Sequence, residues 1–309
     1  MKSYCRKMFP VCLVAIGFLA LSVRGLFAQE EPVLGESLAD QRLMEILVAE
    51  YELIEASGQG VGPDGLLVRA QDIARSYESF LADNPDHLFG WILCGKFLRS
   101  VGSDEMAFAA LRKADSLQPD LPVVQQQLGL LLADQGVYEA ALPFLLRAVE
   151  LAPGEPEYHN DVGVFLVRFG PELEKDGVLG EGRASALALE SFETAFRLDP
   201  ENFERGWRWA EAHADLPHPD WEATALAWEK VMPLAQTIPE REASRLQISR
   251  GWIEAGEPER AEAWMAPVET EALQSSWEQL RERMNEESPQ ADFSAVPNTD
   301  ERQMESERP

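Results

Sequence analysis

Trp91–Pro119 reads WILCGKFLRSVGSDEMAFAALRKADSLQP, and Gln125–Pro153 reads QQQLGLLLADQGVYEAALPFLLRAVELAP. Laid over one another at an offset of 34 positions, the two share a skeleton of small, large and proline residues. Gly95, Leu98, Ala107, Leu111, Ala114 and Pro119 fall on Gly129, Leu132, Ala141, Leu145, Ala148 and Pro153. A second shift gives His159, Gly163 and Leu166, and after an insertion the series resumes as Ala188, Phe192, Ala195 and Pro200. Self-similarity at this period indicates stacked helical pairs rather than a single globular core. The functional question becomes what such a surface holds.

Elementary energetics support the reading. Gly95, Gly129 and Gly163 sit inside helical patterns, where glycine costs about 1 kcal/mol relative to alanine. Close approach of the second helix of each pair supplies a compensating reason, with Ala107, Ala141 and Ala188 expected at the crossing. Pro119, Pro153 and Pro200 end each second helix, since proline and its predecessor disfavour helix continuation. Overpacking Gly129 with Leu is expected to destabilise the pair, and the same change at Gly60, in a glycine-rich loop, to be nearly silent.

The skeleton resembles the tetratricopeptide repeat, a 34-residue helix–turn–helix with Leu-Gly on helix A and Ala, Phe, Ala and Pro on helix B. Leu128-Gly129 carries the dipeptide, and Leu98, Leu132 and Leu166 stand where the family commonly has Tyr. The resemblance implies an all-α, right-handed solenoid over 37–287. Its clearest repeats are 88–121, 122–155 and 156–202, the last split by an insert near 168–181. Degenerate hairpins follow from the helical patterns of 37–87, 203–236 and 239–268, and residues 270–287 suit a closing cap helix.

The ends differ from this body. Lys2, Arg6 and Lys7 precede an apolar run from Val11 to Val23, and Leu26-Phe27-Ala28 stands before Gln29. This is the pattern of an export signal over 1–28, with an uncleaved anchor over 8–23 as the alternative. Residues 29–36 form an acidic linker, and 288–309 are polar, acidic and expected to be disordered. Cys5 and Cys12 lie in the leader, which leaves Cys94 as buried filler before Gly95. The expected location is therefore the periplasm or the outside of the cell.

Charge and chemistry narrow the function. The formal net charge is −27, so phosphate backbones and anionic lipids are repelled, and nucleic acid is not expected as a partner. Membrane contact is expected only through an uncleaved N-terminus. His87, His159, His213 and His218 are scattered; the His213–His218 turn with Asp215 and Asp220 is broken by Pro217 and Pro219 and lacks metal-ligand spacing. No phosphate loop or nucleophile elbow is present. The expectation is a protein that is no enzyme and takes no cofactor or metal, the remaining alternative being a metal-dependent enzyme at that turn.

In the family, helix A of each repeat lines a concave groove that takes peptides. The resemblance places Phe89, Ile92, Lys96 and Arg99 there, followed by Val123, Gln126, Leu130 and Ala133. Glu157, Asn160, Val164 and Val167 come next, then Glu204, Trp207 and Glu211. Ile92, Leu130, Val164 and Trp207 are expected to form one apolar stripe. Seven of the eight tryptophans lie past residue 200, where aromatics at helical spacing read as core. The function expected is an exported scaffold or peptide-binding module of the cell envelope, its partner apolar with basic flanks. An accessory subunit of an envelope enzyme or secretion complex is the runner-up.

Overall fold

A computed structural model describes residues 37–287, which lie in two compact units divided between Pro200 and Glu201. The signal, the acidic linker and the tail from 288 lie outside the described residues. Among the described residues there are thirteen α-helices and one short 3-10 turn, and no strand occurs there.

The first unit is a stack of four hairpins. They are α1 (Leu38–Gly58) with α2 (Pro63–Asp83), α3 (Leu88–Ser100) with α4 (Asp104–Leu117), α5 (Pro122–Asp134) with α6 (Tyr138–Leu151), and α7 (Pro156–Lys175) with α8 (Arg183–Leu198). From α1 to α7 each helix packs on the next in the chain, and α3, α5 and α7 also touch in series. This is the all-α solenoid that the 34-residue skeleton implies. Prolines open α2, α5 and α7 in their first turn, where the missing N–H has no intrahelical partner anyway. Ser37 and Asp40 close a capping box on α1.

The hairpin contact differs from expectation in one respect. Ala107, Ala141 and Ala188 are buried, but the helix A glycines face the large residue four positions on. A Cβ on Gly95 would lie 2.6 Å from Leu111 Cγ, one on Gly129 2.8 Å from Leu145 Cγ, and one on Gly163 2.6 Å from Phe192 Cε1. Each large side chain fills the notch that its glycine leaves. The turns repeat as well: Gly102 and Gly136, at φ of 74° and 75°, let the chain reverse. The following N–H then bonds five residues back, Ser103 to Leu98 O and Val137 to Leu132 O.

Counting back 34 positions from Ala107, Leu111, Ala114 and Pro119 reaches Ile73, Tyr77, Phe80 and Pro85. The first three of these are buried on α2, so the first hairpin keeps the register with bulkier fillers. Its glycine-rich loop is tighter than expected: Gly60 has φ of 81°, a left-handed conformation that costs other residues about 1–2 kcal/mol. Substitution there is not silent.

The 168–181 insert is largely helix. It extends α7 to Lys175 through Pro171, and only 176–182 is loop. Gly170 lies against Ala184, whose Cβ would be 2.4 Å from a Cβ on the glycine. Glu174 accepts hydrogen bonds from the backbone N–H groups of Gly182 (3.1 Å) and Ala184 (2.8 Å), capping α8 from across the hairpin. Tyr138 stacks on Phe169 and donates to Asp176 at 2.6 Å. The insert is anchored by its own hairpin and by α6.

The second unit holds α9 (Phe203–Ala212), α10 (Trp221–Val231), α11 (Ile238–Glu254), the short α12 (Pro258–Glu262) and α13 (Glu271–Glu287). Its core is Trp228, Trp252, Ile248, Ile253 and Val231. A Cβ on Gly251 would lie 2.8 Å from Ala225 Cβ, which marks a second close helix crossing. The buried Glu242 carboxylate accepts from the N–H groups of Glu269 (2.7 Å) and Thr270 (3.0 Å), tying the start of α13 to α11.

The notch contact predicts an asymmetric response to substitution. Gly129→Leu should cost about 1–3 kcal/mol by overpacking against Leu145. Gly154→Leu, at an exposed turn with open space around it, should change the urea midpoint little. Equal losses would remove the notch as a determinant of the hairpin.

Candidate partner-binding face

In the first unit α3, α5 and α7 lie side by side and present the family's groove positions. The structure sorts those residues into three groups. Val164 and Val167, one helical turn apart on α7, are 41% and 51% exposed. Glu157 is also exposed, while Asn160 on the same helix and Leu130 on α5 are half-buried. These residues form the accessible part of the face.

A second group has gone into the interior. Ile92 is 3% exposed, and Val123 and Ala133 are buried; Phe89 packs against the same core. Gln126 is buried too, and its amide donates to Asp161 Oδ2 at 2.6 Å. It is one of three successive buried glutamines that turn around α5. Gln125 donates to Asp115 on α4 at 3.1 Å, and Gln127 donates to Gln126 at 3.2 Å. Most of the middle helix is enclosed, so even its buried polar residues must find partners inside. Gln127 Oε1 has none. Ile92, Val123, Gln126 and Ala133 are thus covered in this structure rather than exposed along a groove.

The third group is ionic. Arg99 Nη1 lies 2.9 Å from Asp134 Oδ2, and Arg168 Nη1 lies 3.8 Å from Asp134 Oδ1. The three charges come from the C-terminal halves of α3, α5 and α7, one repeat apart, and alternate in sign. Burial, then the Arg99 charge, lowers the Lys96 ammonium below its usual range, against the pull of Glu157, Glu50 and Asp161. Arg99 and Lys96 are thus half-buried members of a charge network rather than free cations.

Trp207 belongs to the second unit. Its ring meets Trp228 edge-to-face at 4.5 Å and Phe203 at 5.7 Å, as part of that unit's aromatic packing. The stripe expected to run from Ile92 to Trp207 reduces to Leu130 and Val164, joined by Val167. Glu204 and Glu211 on α9 are exposed. Of the late tryptophans, Trp228 and Trp252 are core, and others carry a cation on their faces, as Trp209 does Lys230 and Trp221 does Arg250.

The His213–His218 turn gathers no metal site. His213 packs edge-on against Trp209 at 5.4 Å. Among the described residues no three His, Cys, Asp or Glu side chains are grouped to hold an ion. None of the helices described is long and apolar enough to cross a membrane.

Sequence reasoning missed Gln125, Gln127, Asp161, Asp134 and Arg168. The signal was present in the 34- and 35-residue spacing of Arg99, Asp134 and Arg168, a polar repeat within an apolar one. The two kinds of pairing should differ in weight. Gln126→Ala removes a buried amide's hydrogen bond to the half-buried Asp161 carboxylate and should cost about 1.5–3 kcal/mol. Asp134→Asn, in a partly exposed network, should cost about 0–1 kcal/mol. Urea titrations of the two variants check the order.

The family model for the tetratricopeptide repeat matches residues 124–155. Among solved structures, one is titled as YrrB, a TPR protein with an unusual peptide-binding site. It is 14% identical with a TM-score of 0.50, over 68% of this chain and 94% of that one. PilF of Pseudomonas aeruginosa is 14% identical with a TM-score of 0.53, over 78% of this chain and 99% of its own. No curated protein matches the sequence.

Proposed function

We propose that the chain is a tetratricopeptide-repeat protein, an exported, non-catalytic scaffold whose first unit binds a peptide segment of a protein partner. The observation that carries this reading is the exposed pair Val164 and Val167 beside half-buried Leu130 on α5, in a chain of net charge −27. Acidic surroundings steer a cationic ligand, and burial of its apolar anchors holds it. The peptide expected therefore has an apolar core flanked by Lys or Arg. Peptide binding by YrrB, a protein of the same fold, is consistent with this assignment.

Export rests on the leader: Lys2, Arg6 and Lys7, the apolar Val11–Val23, and the Ala28–Gln29 junction. A partner in the envelope follows from that location, either as cargo of the scaffold or as an enzyme or secretion component that it accompanies. Intact mass of protein purified from its host should correspond to a chain starting near Gln29. A full-length chain in the soluble cytoplasm would overturn the envelope reading.

The binding face has a direct test. Panning a phage-displayed random-peptide library against the purified chain should enrich apolar sequences with basic flanks. Val164→Glu combined with Val167→Glu should weaken the best peptide by about 30-fold or more, as loss of a central anchor does. Both residues are exposed, so helical content and melting should not change. Wild-type affinity in that double variant would exclude this face.

A further inference from the structure

Between α1 and the hairpin that follows lies a titratable cluster that neither the repeat skeleton nor peptide binding uses. Glu50, on α1, is 8% exposed. Tyr77 on α2 is fully buried and donates its hydroxyl to Glu50 Oε1 at 2.5 Å. From α3, half-buried Lys96 acts on this carboxyl, and the carboxyl in turn acts on the buried Cys94 thiol. Lys96 is in turn set by Arg99 on its own helix and by Glu157 and Asp161 on α7.

We propose that Glu50 is a proton-operated latch: with its carboxyl neutral α1 stays seated on α2 and α3, and ionisation unseats that helix and opens Cys94 to solvent. A buried carboxylate is costly unless fully paired, and the surroundings offer one phenol and one partly desolvated ammonium. Burial pushes the Glu50 carboxyl up to about 7, the Tyr77 hydrogen bond and the Lys96 charge pulling the other way. The seated state therefore holds its proton from the ordinary value of 4.5 up to about 7, while the released helix gives it up. The seated state binds more protons across that window, so seating weakens as pH rises through it and levels off above. α1 is also the end helix of the described stack, with neighbours on one side only, so it is the element that can leave without breaking the others.

Cys94 supplies the readout. Burial, then the Glu50 charge, pushes its thiol up to about 12, so it reacts only when the seam opens. In the full chain with Cys5→Ser and Cys12→Ser it is the single thiol. Alkylation by iodoacetamide is measured from pH 5 to 8 and divided by the rate in denaturant at each pH, which removes the thiol's own titration. Protection should fall by on the order of 50-fold across the range. It should stay flat in Glu50→Gln, which cannot ionise. In Tyr77→Phe the loss of the donor that favours the charged form should move the midpoint to higher pH, and this variant carries the test if Glu50→Gln does not fold. Tryptophan fluorescence, dominated by the second unit, should stay constant throughout. Flat protection in the parent chain, an equal fall in Glu50→Gln, an unmoved midpoint in Tyr77→Phe, or fluorescence lost together with protection would each overturn the latch.

Discussion

Everything in the first unit depends on how close the two helices of a hairpin come. Gly95, Gly129 and Gly163 each remove a side chain from helix A, and Leu111, Leu145 and Phe192 each fill the space. A helix interior glycine is unfavourable by itself, so it is kept in place by packing that a larger residue would block. Once that separation is set, the small residues at Ala107, Ala141 and Ala188 can be buried between hairpins. The helix A surfaces of successive repeats then come into contact. The face formed by α3, α5 and α7 is a consequence of those notches.

Hairpin length is the variable that the notch leaves free. The second and third hairpins use helices of 13 and 14 residues, whereas α1 and α2 have 21 each and α7 has 20. The added turns run past the crossing and find their own fastenings, Glu174 on the α8 N-terminus and Tyr138 on Asp176. Elongation of this kind leaves the stacking of neighbours untouched. That explains how a repeat of fixed period accommodates 168–181 without loss of register.

Much of this was legible in the chain because small and large residues at a fixed period report backbone separation directly. Hairpin boundaries could be read from Pro119 and Pro153, and the turns from Gly102 and Gly136. The first hairpin was harder to recognise: Ile73, Tyr77 and Phe80 keep the register but exchange small residues for large ones, which hides it from a pattern of alanines. The face was legible only in part. Helical position says which side of α5 Gln126 occupies, but not that most of α5 is enclosed, since enclosure depends on neighbours distant in sequence. Val164 and Val167 differ from Ile92 in the same way, by how much chain covers them. Trp207 was placed on the face by counting, whereas its contacts with Trp228 and Phe203 are set within the second unit.

The alternating charges of Arg99, Asp134 and Arg168 make the hairpins unequal members of the series. Repeat arrays gain and lose units by recombination, and loss of residues 122–155 would preserve the period, the notches and the turns. It would also set Arg99 beside Arg168, and face Asp161 with Ile92 in place of Gln126. The shortened protein would stack in shape and be mismatched in charge. The polar side chains thus act as an address on each hairpin, recording the order of units that the apolar skeleton alone would allow to be shuffled.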